Sequence, residues 1–362
     1  MDVAHREAKA DLGVGDSRPS HVGGPIHLRN TPLQCDQIHQ ANLHHISNTP
    51  GDHRHHTNSG GRCKRRQKMR VVVTGGAGFI GSHVAAHLAE RGFKVVAVDN
   101  LERASAVKRL EEVGVPLVVG DVRSVDLPPA DAVVHAAAYI DVEESWKRPY
   151  DYMWNNAAAT ARVAKRCAET GARLIYISSA AVYGEPQRLP IDENHPTRPL
   201  SPYGLSKLAG EQITQVLTPG GAVLRLFNVY GPGQTGPYAG VVSKFIERAK
   251  RGLPPVIYGD GTQTRDFIHV ADVARFVEIV LERGAAGVYN VGTGRAVSIR
   301  ELAAVVMRLA GLSGEPLYAP PRPGDVRHSA ADVTKAKSLG WQPQIPLEEG
   351  LRRLWTLTSP LR

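Results

Sequence analysis

From residue 70 onward, short runs of aliphatic and β-branched residues alternate with stretches of helical period. The first run, over 71–73, is Val-Val-Val; a helical stretch follows over 79–91, and a second apolar run covers 94–98. Further strand-like runs fall at 117–119, 132–135 and 173–178, with helical segments between them. Strands that are apolar on both faces and separated by helices predict a mostly parallel sheet covered on both sides. The expected class is therefore α/β, a doubly wound parallel sheet. After Gly231 the rhythm loosens, with a clear helix over 301–310 and a Pro-rich loop over 318–324. This predicts a smaller C-terminal α/β region over 237–362, set against a first domain over 69–236 to which 264–283 returns.

Residues 1–68 follow neither period. They hold nine of the 15 histidines, and ten Lys/Arg against six Asp/Glu, so much of the +9 net charge lies in this short segment. Such a stretch buries too little apolar surface to offset its ordering entropy, and a disordered leader is expected. His53, His55 and His56 offer adventitious metal ligands, and the basic run 64–68 a charged patch. The remaining charge is modest, so nucleic acid is not an expected partner. No apolar run reaches the roughly 20 residues that span a bilayer, so no membrane partner is expected. Three cysteines (Cys35, Cys63 and Cys167) without paired spacing indicate neither a disulfide framework nor a metal site, and fit the cytoplasm.

Candidate chemistry begins between the first strand and the first helix. Val73-Thr74-Gly75-Gly76-Ala77-Gly78-Phe79-Ile80-Gly81 contains G-x-x-G-x-x-G through Gly75, Gly78 and Gly81, and G-x-G-x-x-G through Gly76, Gly78 and Gly81. Either way, missing side chains permit a tight turn, let a pyrophosphate reach the backbone, and aim helix N-terminal N–H groups at its charge. That context makes the sheet Rossmann-type. Asp99 closes the second strand 18 residues after Gly81. A carboxylate there accepts from ribose hydroxyls and repels a 2′-phosphate, which favours NAD over NADP. Asp121 follows Gly120 at the end of the third strand, either facing the adenine amino group or serving as an ordinary turn residue.

Pro202-Tyr203-Gly204-Leu205-Ser206-Lys207 opens a helix expected to reach about residue 216. Tyr203 and Lys207 stand one turn apart on one face. A nearby ammonium favours phenolate, making the pair a candidate acid/base for proton transfer. Ser178-Ser179-Ala180-Ala181-Val182-Tyr183-Gly184 follows the fifth strand, at the carboxyl end where doubly wound sheets bind ligands.

With these motifs in order, the chain resembles the extended short-chain dehydrogenase/reductase family, and within it the nucleotide-sugar 4-epimerases, over residues 69–362. The stretches Ala136-Ala137-Ala138 after His135, Asn155-Asn156, Arg225 to Pro232, Gly259-Asp260-Gly261, Arg265-Asp266-Phe267 and Arg322-Pro323-Gly324-Asp325 carry the likeness further. The resemblance implies that Ser179 binds the sugar hydroxyl at the reacting carbon, Tyr203 moves the proton, and Lys207 binds the nicotinamide ribose. It implies a cofactor site completed by Phe79, Ile80, Asn100, Val122, Ala136, Ala138, Asn156 and Phe227. Asn228 and the paired guanidiniums of Arg265 and Arg322 would hold the substrate diphosphate, whose geometry suits planar donor forks. Tyr258 would abut the base, and Ser329 would form a wall near the sugar C2. The resemblance also implies a homodimer through the Tyr203 helix and a helix over about 150–169.

Relatives that dehydrate or decarboxylate their sugar carry acidic residues at the positions matching 180 and 181. Both are alanine here, and an alanine moves no proton. Simple inversion at C4 through a 4-keto sugar is therefore expected, with UDP-glucose/UDP-galactose as the default pair. A UDP-N-acetylhexosamine or UDP-uronate pair, or a dehydratase or reductase of the same family, are the alternatives.

Overall fold

The computed structural model describes residues 69–357 apart from 235, 237, 238 and 322–325. The leader, with its His cluster and basic run, and Arg322 lie outside the described residues.

The first half repeats strand and helix as β1 (Arg70–Thr74), α1 (Phe79–Glu90), β2 (Lys94–Asp99), α2 (Val107–Glu112), β3 (Leu117–Val119) and β4 (Ala132–His135). Helices α3 (Val142–Lys147) and α4 (Pro149–Tyr152) lead through a π-helical turn, Met153–Ala158, into α5 (Ala159–Thr170). Then come β5 (Arg173–Ser179), a 3₁₀ turn at Ala180–Val182, α6 (Pro202–Leu217), β6 (Ala222–Leu226), β7 (Asn228–Tyr230) and α7 (Val241–Lys250). The last third holds β8 (Val256–Tyr258), β9 (Thr264–His269), α8 (Val270–Arg283), β10 (Gly287–Val291), β11 (Ala296–Ser298), α9 (Ile299–Ala310), β12 (Leu317–Ala319), α10 (Thr334–Ser338) and α11 (Leu347–Leu357).

Seven strands form one sheet in the order β3-β2-β1-β4-β5-β6-β10, and every pairing in it is parallel. The doubly wound expectation is met. Along β1 the side chains alternate: Val71 and Val73 enter the apolar cluster with Leu88, Phe276 and Trp341, while Val72 joins Val163 and Leu174 on the other face. The chain runs outward from β1 to β3 and restarts at β4 on the other side of β1. That reversal opens a crevice at the carboxyl ends of β1 and β4.

Two departures from the sequence pattern concern long-range pairing. β10 returns from the last third to extend the main sheet beside β6, with Asn290 opposite Arg225. The Pro-rich loop contains β12, which pairs in parallel with β8 because Leu317, Tyr318 and Ala319 run extended along its edge. β11, β9 and β7 make a separate small sheet.

Beneath the carboxyl edge lies a buried polar network. Glu211 on α6 receives Arg225 of β6 as a fork, Nε to Oε1 at 3.0 Å and Nη2 to Oε2 at 2.7 Å. Ser178 Oγ also donates to Glu211, at 2.5 Å. Arg225 Nη1 donates to the Tyr183 hydroxyl at 3.0 Å, which in turn donates to Asn290 Oδ1 at 2.6 Å. Removing one member of a buried pair strands the other. Glu211→Gln should cost about 3–5 kcal/mol, read as a lower urea midpoint. Asp131→Asn, which breaks the exposed Arg70 pair, should leave the urea midpoint close to that of the wild type. Equal losses would contradict this assignment.

Candidate active site

The glycine loop is shaped by close approach. Gly75 adopts φ +65°, and a Cβ there would lie 2.6 Å from the Ala137 nitrogen. A Cβ on Gly81 would run into the Gly75 carbonyl oxygen. Gly78 caps α1 without a side-chain bond, and the first turn of the helix carries no acidic residue. The N–H groups of Phe79, Ile80 and Gly81 therefore open the helix with no acidic side chain on their own turn.

Asp99 is buried at the end of β2 and braces the loop, accepting from Ala77 N at 3.0 Å and Leu101 N at 2.8 Å. A carboxylate has about four acceptor positions, so capacity for two ribose hydroxyls is left. Asn100 is exposed beside it, its Oδ1 holding Glu102 N at 3.1 Å. The Asp121 carboxylate is engaged by Arg123 through Nε at 2.9 Å and Nη2 at 2.5 Å, which draws its pKa down to about 2. The sequence reading did not name Arg123. Val122 points into the core.

On the other side of the crevice, Ala136 N donates to Thr74 O at 3.1 Å, and Ala136 and Ala138 are half-buried. Asn156 sits in the π-helical turn, a feature frequent at functional sites. Its amide ties three elements together: Oδ1 accepts from Tyr139 N at 2.8 Å, and Nδ2 donates to Tyr139 O at 3.0 Å and Ser206 Oγ at 2.9 Å. The Phe227 ring lies in the core near Tyr183. Small residues at the close approaches, helix N–H groups and a carboxylate with acceptor capacity left fit a dinucleotide.

The proton-transfer candidates converge from β5 and α6. Ser179 closes β5 and caps the 3₁₀ turn, accepting from Ala181 N at 3.2 Å. Ser201 caps α6, accepting from Gly204 N at 3.1 Å, and Pro202 occupies the first turn. Gly204 lets the helix approach closely, since a Cβ there would sit 2.7 Å from the Ala181 oxygen. Tyr203 is thereby brought beside Ser179. Burial raises the Tyr203 pKa, and the Ser179 hydroxyl works against that rise. This departs from the sequence expectation, in which the ammonium dominates. Lys207 is 4% exposed, and burial draws it down to about 7, with Glu211 opposing. His135 lies buried between Thr74 and Thr160, at 2.7 and 3.1 Å, and burial and then Lys207 hold it neutral with a pKa of about 3.

The residues expected to hold the substrate lie on and beside the two small sheets. Asn228 is exposed at the start of β7, and Tyr258 is exposed at the end of β8. Arg265 lies on β9, its Nη1 donating to Thr264 O at 2.8 Å. Thr264 bonds Arg327 O and His328 Nδ1, which draws the segment before Ser329 alongside β9. Ser329 is buried. Asp266 and Arg327 had been given no role. Asp266 is buried and gathers Thr293 N, Gly294 N and Ala331 N at 2.7, 2.8 and 3.1 Å. Arg327 forks onto Asp260 at 3.2 and 2.8 Å, fixing the turn after Tyr258. Among the described residues no group of three or more His, Cys, Asp or Glu is placed to hold a metal, and no helix is long and apolar enough to cross a membrane.

A doubly wound sheet with this crevice, and with serine, tyrosine and lysine gathered at its carboxyl edge, defines an NAD-binding protein of the short-chain dehydrogenase/reductase type. The model of the NAD dependent epimerase/dehydratase family matches residues 71–292, and the chain belongs to that family. NAD is its cofactor, as the sequence resemblance implied. A UDP-glucose 4-epimerase of Azospirillum brasilense is 37% identical over 318 residues, 78% of this chain and 90% of its own. The solved UDP-glucose 4-epimerase of Thermotoga maritima, with UDP-glucose, matches with TM-score 0.75 and 37% identity, over 78% of this chain and 96% of that one. A UDP-N-acetylglucosamine 4-epimerase of Methanobrevibacter ruminantium M1, in complex with UDP-N-acetylmuramic acid, matches with TM-score 0.76 and 34% identity, over 80% and 99%.

The Lys207 shift carries a signed prediction. Its pKa is near 7 when folded against an ordinary 10.5. Below pH 7 both states are charged and the burial penalty is full. Between pH 7 and 10.5 the unfolded chain binds more protons, so stability rises with pH. Relative to Lys207→Met, the wild type should gain on the order of a few kcal/mol across that window. Urea midpoints of both proteins against pH measure this, and parallel curves would contradict it.

Proposed function

We propose that this chain inverts C4 of a UDP-linked sugar, with UDP-glucose and UDP-galactose as its principal pair. The observation that carries this reading is Tyr203 placed beside Ser179, with Lys207 one turn further along the same helix, at a turn that offers only the methyl groups of Ala180 and Ala181. NAD, when bound, supplies the reversible hydride acceptor. Tyr203 takes the proton from the C4 hydroxyl and later returns it. Ser179 orients that hydroxyl, and Lys207 adds positive charge that favours the tyrosinate as the proton leaves. For inversion, the 4-keto sugar would have to present its other face before Tyr203 returns the proton. Dehydration or decarboxylation would need a further acid or base, which positions 180 and 181 do not provide.

Residues 69–236, with 264–283, form the cofactor-binding part in this reading, and 237–362 the part for the sugar nucleotide. Asn228, Arg265 and Arg322 hold the diphosphate, and Tyr258 abuts the base. A second reading, the UDP-N-acetylhexosamine pair, is favoured by Ser329, a small buried residue at the C2 wall, and by the acetylated substrate of the Methanobrevibacter ruminantium relative. A homodimer fits the apolar surface on the helices around the site, where Tyr150 is 74% exposed, Trp154 49% and Leu205 51%. The buried free thiol of Cys167 accords with the cytoplasm.

Incubation with UDP-glucose should yield UDP-galactose, resolved by chromatography, without net build-up of reduced cofactor. Tyr203→Phe should lower kcat by at least about 100-fold while leaving cofactor bound. Steady release of reduced cofactor, or a Tyr203→Phe variant with full activity, would overturn the mechanism.

A further inference from the structure

The loop after β2 does more than follow Asp99. Leu101 sits at φ +64°, the one non-glycine residue with positive φ among the described residues, and Asp99 Oδ1 holds its N–H at 2.8 Å. A left-handed branched residue is costly and persists where the surroundings impose it. The loop is fastened to the glycine turn by Ser105 N and Ala106 N, both donating to Ala77 O at 3.0 Å. From there it reaches across to the segment after β4. The Tyr139 hydroxyl donates to Glu102, lying 2.8 and 2.9 Å from its two carboxylate oxygens. The Arg103 guanidinium stacks 3.9 Å from the centre of the Tyr139 ring and pairs with Glu144 at 2.9 Å. Glu144 also takes Arg148 Nη1 at 3.1 Å and the Tyr152 hydroxyl at 2.9 Å.

The two anchorages belong to opposite walls of the crevice. Ala77 is part of the glycine turn after β1, and Tyr139 continues the Ala136–Ala138 segment after β4. The Glu102–Tyr139 bond therefore joins the two sides of the crevice. We infer that Glu102, Arg103, Tyr139 and Glu144 form a clasp over the bound dinucleotide that keeps NAD on the enzyme through turnover. The inference rests on the reading that the glycine loop holds the cofactor, and goes beyond it by assigning retention to side chains that join each other across the crevice. The far end of the clasp touches the chemistry: the Tyr152 ring lies edge-on to Tyr139 at 5.5 Å and to Tyr203 at 6.4 Å. Burial and the Glu102 bond hold the Tyr139 phenol in its protonated, donor form.

An epimerase gains from such a device, because its reduced cofactor must stay until the hydride is returned. A hydrogen bond to a charged group contributes enough that its loss changes a rate constant by about tenfold or more. The test uses full-length wild type, Tyr139→Phe and Glu102→Gln, with Asp131→Asn as a remote control. NAD content after purification is measured, and so is the rate at which bound NAD exchanges with labelled NAD. Tyr139→Phe keeps the ring on which Arg103 and Tyr152 pack, so its nucleotide-free form should match wild type in urea midpoint. The clasp predicts exchange at least about tenfold faster in both variants and unchanged exchange in the control. Wild-type exchange rates in both variants would overturn it, as would faster exchange accompanied by an equal loss of midpoint in the nucleotide-free protein. If wild type binds no NAD at all, both the clasp and the cofactor reading fail; if it holds NAD and the variants hold it equally, only the clasp does.

Discussion

Glu211 and Arg225 meet as a fork in an interior where their side chains are 2% and 7% exposed. Charges removed from water this completely persist only when every polar atom finds a partner, and here the partners come from elements far apart in the chain. Ser178 brings the end of β5, Tyr183 the turn after it, and Asn290 the strand β10. Glu211 is one helical turn beyond Lys207 and two beyond Tyr203, so fixing it fixes the face of α6 that carries both. Ser178, bonded to the same carboxylate, is the neighbour of Ser179. The relative placement of serine, tyrosine and lysine is thereby set from below by one ion pair, and its negative member partly offsets the burial that lowers Lys207.

The cofactor crevice depends on a different constraint, the absence of side chains. Gly75, Gly81 and Gly204 each stand where a Cβ would meet backbone, at Ala137, Gly75 and Ala181 respectively. These approaches close the gap between β1 and β4 and between α6 and the 3₁₀ turn. They leave helix N–H groups, not side chains, facing an anionic ligand. Asp99 braces the loop from the end of β2, accepting from Ala77 N and Leu101 N.

Much of this was legible in the chain. The sheet strands over 71–73, 94–98, 117–119, 132–135 and 173–178 stand out because buried parallel strands need apolar residues on both faces. Gly75, Asp99, Tyr203 and Lys207 stand out because their chemistry depends on short, fixed spacings. What stayed hidden depends on long-range partners. β10 resembles any short apolar run until its register with β6 is known, and β12 is masked by its Pro-rich surroundings. Arg225 and Glu211 are 14 residues apart, and Tyr183 and Asn290 are 107 apart. Glu211 did carry a local signal, its i+4 spacing from Lys207, which places it on the catalytic face. Tyr139 is marked only by its place after Ala136–Ala138, where similar epimerases have a lysine, and neither its type nor the spacing of Glu102 points to a bond across the crevice.

The most direct measurement follows the hydrogen at C4. Inversion through a cofactor that never leaves the site predicts that UDP-glucose deuterated at C4 becomes UDP-galactose with its deuterium still at C4, even in excess free NAD. Loss of that deuterium to the free cofactor pool or to water would contradict it.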